Sequence, residues 1–330
     1  MFYIFRHIEY AWLILFIPFL TWVYSMVPWF TSTEDGVQYK LMRFIFAVVP
    51  LLSFILALKL NQSLKRNLDG FSKYSELLNQ LLATSMILVG FTEDELRIEY
   101  SNDSKSIKTI KGSIQQSLMN IRHILTMLPG LIKWQFRSRT ILNKSVVGRQ
   151  KLLLNVNYKL YYKIDKISQG RLGDVEATLL ILGNEMENFC THCKKIDRQS
   201  VSLATLMAKW NVVYTQWCAL NNTFGYEDPQ IVNWYMNVLI AFFTIFFPIG
   251  FVDIPIGYGL LITTVIGYCY IGLYTASCIV SNPFKKIIGV HSNSVSRREK
   301  NIRDQINTVF DLGKQNLDNI HSTSIDFLKP

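Results

Sequence analysis

The chain has 330 residues, half of them apolar, and a formal net charge of +10 from 34 Lys and Arg against 24 Asp and Glu. The apolar residues are gathered into uncharged runs too long for the core helices of a soluble enzyme, and no nucleic-acid recognition motif accompanies the positive charge. These features exclude a soluble catalyst and a nucleic-acid reader, and leave a membrane protein with a large polar middle.

Ala11–Phe30 is uncharged over 20 residues, roughly 30 Å of helix and enough to cross a bilayer core. No small-residue cleavage site follows it, so 11–30 is predicted to remain as a first transmembrane helix. A second span is predicted over 43–60, where Arg43 and Lys59 flank the uncharged Phe44–Leu58 and are placed to snorkel. Its apolar pattern continues through Leu64, Leu68, Phe71, Leu78 and Leu82. The helix is therefore expected to run on beyond the bilayer, with Asp69-Gly70 as a candidate kink.

Ala47, Leu51, Phe54 and Leu58 share one face of this helix, and Asn61 and Lys65 follow one and two turns on. Copies of such a helix around an axis would form an apolar neck opening into a polar, positive vestibule. A neck of that kind gates by dewetting, and the vestibule concentrates anions. The same stripe would serve equally to pack against the other spans, and the helix alone does not choose between the two.

Thr92–Lys111 is polar and predicts a loop. A helix is predicted over Ser113–Arg139 with a break at Pro129-Gly130, and Asn143–Lys166 is basic and rich in Tyr. Leu172, Val175, Leu179, Leu182, Met186, Phe189, Cys193 and Ile196 recur at alternating spacings of three and four. That is a narrow apolar stripe made for another long helix, in the same subunit or a neighbour. Asp174, Glu176, Glu185 and Glu187 lie off it and are expected to face water or basic partners. Cys190-Thr-His-Cys193 has the side chains of a zinc site, but Cys193 belongs to the stripe and no second Cys/His pair stands at finger spacing. No metal site and no disulfide is predicted.

Third and fourth spans are predicted over 231–252 and 254–280, in uncharged runs that reach Phe284 and are separated by Asp253. Lys59, Lys65 and Arg66 follow the second span, and Lys285, Lys286, Arg297, Arg298 and Lys300 follow the fourth. By the positive-inside rule this multi-pass protein has both termini and its long middle in the cytoplasm. The expected architecture is all-α. A transmembrane hairpin (1–60), a cytoplasmic helical region (61–230), a second hairpin (231–284) and a cytoplasmic tail (285–330) follow one another. No phosphate loop, GxGxxG, HExxH or nucleophile motif is present, so no enzymatic activity is predicted.

Four segments resemble the bestrophin family. Leu52-Ser-Phe-Ile-Leu-Ala-Leu-Lys-Leu-Asn61, continuing to Arg66 and Asp69-Gly70, is similar to that family's second transmembrane helix. Phe247-Pro-Ile-Gly-Phe-Val-Asp253 looks like the turn between its last two spans. Ser281-Asn-Pro-Phe284 is similar to the proline-phenylalanine after the fourth span. Cys193-Lys-Lys-Ile196 before Gln199-Ser-Val-Ser-Leu203 stands where the family has C-E-R-I before T-P-I-P-F. The segments occur in the family's order and cover nearly the whole chain.

The resemblance implies a pentameric, passive anion channel, with chloride as a typical permeant ion and no cofactor. It places the neck at Pro50, Phe54 and Leu58, where the helix periodicity gives Leu51 at the first position, and the cytoplasmic aperture at Val201. Self-association, membrane lipid and small anions are the implied partners. The chain departs from the family at Asn67-Leu68, where a Trp pair is usual, and at Ser200 and Ser202, which replace prolines. About 25 extra residues lie around Trp210–Gln230. Lys285-Lys286 stand where animal members carry an acidic calcium-binding run, so no calcium clasp is predicted. The alternative function is a non-conducting membrane scaffold or sensor whose cytoplasmic helices bind a protein.

Overall fold

The computed structural model describes residues 11–26, 37–97, 105–138, 158–168, 173–196, 203–225, 230–251, 255–280, 284 and 291–326. Among them there is no strand. The helices are α1 (Ala11–Ser25), α2 (Val37–Arg97), α3 (Lys105–Ser138), α4 (Tyr158–Ser168), α5 (Asp174–Ile196), α6 (Leu203–Gly225), α7 (Gln230–Phe246), α8 (Ile256–Val280) and α9 (His291–Asp326), with a 3-10 turn at Phe247–Phe251 after α7. Three stretches are long and apolar enough to cross a membrane: Ile45–Gly90, Trp234–Phe251 and Ile256–Val280. The apolar part of α1 described at side-chain level, Phe16–Ser25, is shorter.

Two compact units divide the chain, one of Met1–Asp69 with Tyr226–Asn282, the other of Gly70–Gly225 with Pro283–Pro330. The boundary lies inside α2, which contributes residues to both.

In the first unit, α8 turns a face of small residues, Gly259, Thr263 and Gly267, inward. Four-residue spacing of small side chains lets helices approach closely where hydrophobicity cannot drive them together. Ile17 of α1 uses that space: a Cβ on Gly267 would fall 2.4 Å from Ile17 Cδ1. One turn away, the hydroxyls of Thr21 and Thr263 lie 3.1 Å apart. Each also donates to a carbonyl of its own helix, Ile17 and Gly259 respectively, so neither is left unpaired. Phe243 of α7 packs on Phe247 and on Tyr270 of α8, with ring centroids 4.5 and 4.8 Å apart.

The second unit is a helical bundle. Phe136 of α3 sits at its centre and meets Trp217, Phe224 and Phe284, with ring centroids 5.5, 5.4 and 5.1 Å away. Tyr74 meets Phe284 edge-on at 5.1 Å. The aromatic residue of Ser281-Asn-Pro-Phe284 is therefore a core residue of this bundle. Helix α9 of the tail lies on α3 through Val295, Ile302, Ile306 and Phe310. Glu299 of α9 ties the pair, 2.9 Å from Lys133 Nζ and 2.6 Å from Arg303 Nη2.

Several expectations change. The predicted loop over 92–111 is shorter, because α2 continues to Arg97 and α3 begins at Lys105. Pro129-Gly130 does not break α3. Leu125, Leu128, Leu131 and Ile132, on both sides of it, are fully buried, which outweighs the one hydrogen bond that proline removes. As expected, α2 runs on as a helix through Asp69-Gly70. Gly70 is there for close approach, since a Cβ on it would fall 1.8 Å from Phe224 Cζ.

The stripe of α5 is wider than predicted. Ala177, Ile181 and Cys190 are buried beside Val175, Leu179, Leu182, Met186, Phe189 and Cys193, because α5 packs on α3, α4 and α6 at once. Glu185, expected off the stripe, is only 5% exposed. It accepts from Asn120 at 3.1 Å and pairs with Lys163 at 3.3 Å. Trp210 lies in α6, whose Leu206, Val213, Trp217, Leu220 and Phe224 are buried. Val201, Asp253, Lys285 and Lys286 lie outside the described residues.

Candidate functional site

The orientation of α2 in the first unit follows from where its polar side chains find partners. Ser53 hydrogen-bonds the hydroxyl of Tyr270. Lys59, expected to snorkel, is instead buried, with Nζ 4.9 Å from the centroid of the Tyr274 ring. An aromatic face stabilises a cation removed from water. The Tyr274 hydroxyl donates in turn to Asn237 of α7. Two turns beyond Lys59, Asn67 Nδ2 donates to the carbonyl of Val280 at 2.6 Å. These contacts strap one side of α2 to α8.

Advancing about 100° per residue, Leu52, Leu56, Lys59, Ser63 and Asn67 fall on one arc about 80° wide. All five are buried, Leu52 and Leu56 to 1% and 2% exposure. On the same reckoning Pro50, Phe54, Leu58, Asn61 and Lys65 fall on an arc of about 80° opposite to it. All of these are exposed, with Phe54 at 62% and Leu58 at 45%. Leu51 lies at the edge of that arc, 54% exposed. The neck candidates Pro50, Leu51, Phe54 and Leu58 and the vestibule candidates Asn61 and Lys65 thus share one outward face. Packing of the Phe54 face against the other spans of the subunit is ruled out, because the Leu52–Leu56 face takes that place.

Sequence reasoning missed the straps. Ser53, Lys59 and Asn67 are unremarkable in a helical wheel, and their partners are over 200 residues away in the chain. The signal that would have found them is three polar residues on one side of an apolar helix, which must pair inside the protein.

No group of three or more His, Cys, Asp or Glu able to hold a metal ion occurs among the described residues. Cys190 and Cys193 form no disulfide and are buried in the bundle core.

No protein-family model matches the sequence, and no curated protein is significantly similar to it. Solved structures do match. A mutant form of a bacterial bestrophin homologue from Klebsiella pneumoniae superposes with a TM-score of 0.65 at 12% identity, covering 91% of this chain and 98% of that one. A second mutant form gives 0.63 at 11% identity over 92% and 99%. A further structure of the homologue gives 0.62 at 12% over 91% and 99%. The chain has the bestrophin fold. Little sequence is shared with those structures, while nearly the whole length of both chains superposes.

Proposed function

We propose that this chain is the subunit of a homo-oligomeric ion channel that conducts passively, with anions such as chloride as its permeant species. The observation that carries the reading is the outward face of α2. An apolar run, Pro50, Leu51, Phe54 and Leu58, is held away from the subunit's own core and passes directly into Asn61 and Lys65. Around an axis it makes a hydrophobic constriction opening into a polar vestibule, where lysines from each copy raise the local anion concentration. Five copies are the number the bestrophin resemblance implies, with both termini cytoplasmic and the aperture at Val201.

Lipid would meet the outward residues of α8, where Tyr258, Leu261 and Val265 are exposed. Of the two supports for the scaffold reading, divergence from the family and the α5 stripe, the second weighs less, since helices of the same chain pack on α5.

The test is conduction by the purified protein in planar bilayers. The parent should carry chloride current. Phe54→Ala with Leu58→Ala should widen the neck and raise unitary conductance, and Lys65→Glu should move the reversal potential toward cations. A parent that never conducts, or a double variant indistinguishable from it, would overturn the assignment.

A further inference from the structure

A charge sits inside the first unit, on the side of α2 that the apolar neck candidates turn away from. Lys59 directly follows Leu58, the last apolar residue of the outward run, and is only 9% exposed. The two stand about 100° apart around the helix and about 1.5 Å apart along it. Lys59 is therefore level with the end of the neck, where it passes into Asn61 and Lys65. An ionisable residue in a membrane span is expensive to keep, and it marks a functional position by default. Packing alone asks for an apolar side chain here, as Leu52 and Leu56 supply on the same buried arc.

A lysine stem is long enough to carry its head toward water. This one stays inside. Its Nζ lies 4.9 Å from the centroid of the Tyr274 ring, and the Tyr274 hydroxyl is itself fixed on Asn237 of α7. The aromatic face keeps the cation on the α8 side of α2. Lys65 differs in this respect, since it is exposed. The field of an exposed charge is screened by salt over about 10 Å at 0.1 M and about 3 Å at 1 M. A buried charge is screened much less, and a low-dielectric wall directs its field into the water beside it.

We propose that Lys59 is a specificity-determining residue of the channel. Its ammonium, held behind the α2 wall by Tyr274, favours anions at the end of the neck without touching them. This inference rests on the conduction reading of the outward face of α2. Fields add, so removing one positive charge per copy lowers the potential in the neck whatever other charges stand nearby. The two lysines then divide the work. Lys65 gathers anions in the vestibule at low salt, and Lys59 maintains the preference at high salt.

Reversal potentials of the purified full-length protein in planar bilayers, under sodium chloride gradients centred at about 0.1 M and at about 1 M, test this. Lys59→Met should lower the chloride-to-sodium permeability ratio about threefold or more at both concentrations. Lys59→Arg, which restores the charge, should hold the ratio near that of the parent. Lys65→Gln should lower it at low salt and spare it at high salt. Lys59→Gln, neutral but polar, should show the same loss and decides the matter if Lys59→Met does not assemble. A conducting neutral variant with the parent's ratio at high salt, or Lys59→Arg falling as far as Lys59→Met, would overturn this inference and leave the conduction reading standing. A parent that never conducts would overturn that reading, and this inference with it.

Discussion

Asn67 donates its side-chain amide to the carbonyl of Val280, the last residue of α8, at 2.6 Å. The final carbonyls of a helix have no partner within it, and inside the first unit this one is satisfied by a residue of α2. Asn67→Leu should leave the carbonyl unpaired and cost about 1–3 kcal/mol. Thermal melting of the detergent-solubilised protein checks this, with Leu68→Ala, on the exposed side, as a near-neutral comparison.

Lys59 and Tyr274 should be energetically coupled. Removing either the ammonium (Lys59→Met) or the ring (Tyr274→Leu) forfeits the same contact. A double-mutant cycle is therefore expected to return an interaction energy of about 1–2 kcal/mol. Tyr274→Phe keeps the ring and loses only the hydrogen bond to Asn237, so the cost of Lys59→Met should be preserved in that background. Additive costs of Lys59→Met and Tyr274→Leu would show that the ring does not hold the cation.

Two glycines make opposite predictions. At Gly70 an added Cβ meets the Phe224 ring at 1.8 and 2.2 Å, and that ring is hemmed in by Phe136 and Phe284. Gly70→Ala should cost about 1–3 kcal/mol through overpacking, partly recovered by Phe224→Leu. At Gly267 the obstacle is Cδ1 of Ile17, the end of a flexible chain. Gly267→Ala should cost less, and Ile17→Val should recover most of it. Chemical melts of the four variants and the two pairs decide it.

His123 of α3 sets a pH dependence. Burial, and then the neighbouring Arg122 charge, push its imidazole below the ordinary 6.5. The unfolded chain then binds the proton more readily than the native one, so stability rises with pH across this interval. The contribution is complete above about pH 6.5 and is lost as pH falls from there towards the depressed native value. Between about pH 7.5 and about pH 5.5 the melting temperature should fall less in His123→Gln than in the parent.

Much of this molecule is legible in its sequence, for physical reasons that also mark where reading stops. Uncharged runs and the 3-4 spacing of Val175 to Cys193 depend only on local periodicity, and the membrane-capable helices and α5 follow from them. Which side of α2 faces outward does not. Leu52 and Leu56 are as apolar as Phe54 and Leu58, and the choice is made by Tyr270, Tyr274 and Val280, far off in the chain. Pro129 was misread for a related cause. A local rule gives a proline a break, but a fully buried stretch of α3 overrides it.

Phe284 has a consequence for the order of assembly. The bundle begins at Gly70, and Tyr74, Phe136 and Phe224 are synthesised before α7 and α8. Their shared aromatic neighbour arrives only after the last apolar helix. On the ribosome the bundle must wait, partly built and with apolar surface open, until α7 and α8 have been made. The ring that completes its core is also a signal that the membrane-capable part of the chain is finished, so a chain truncated before Phe284 should be recognised as unfolded however well its earlier helices have formed.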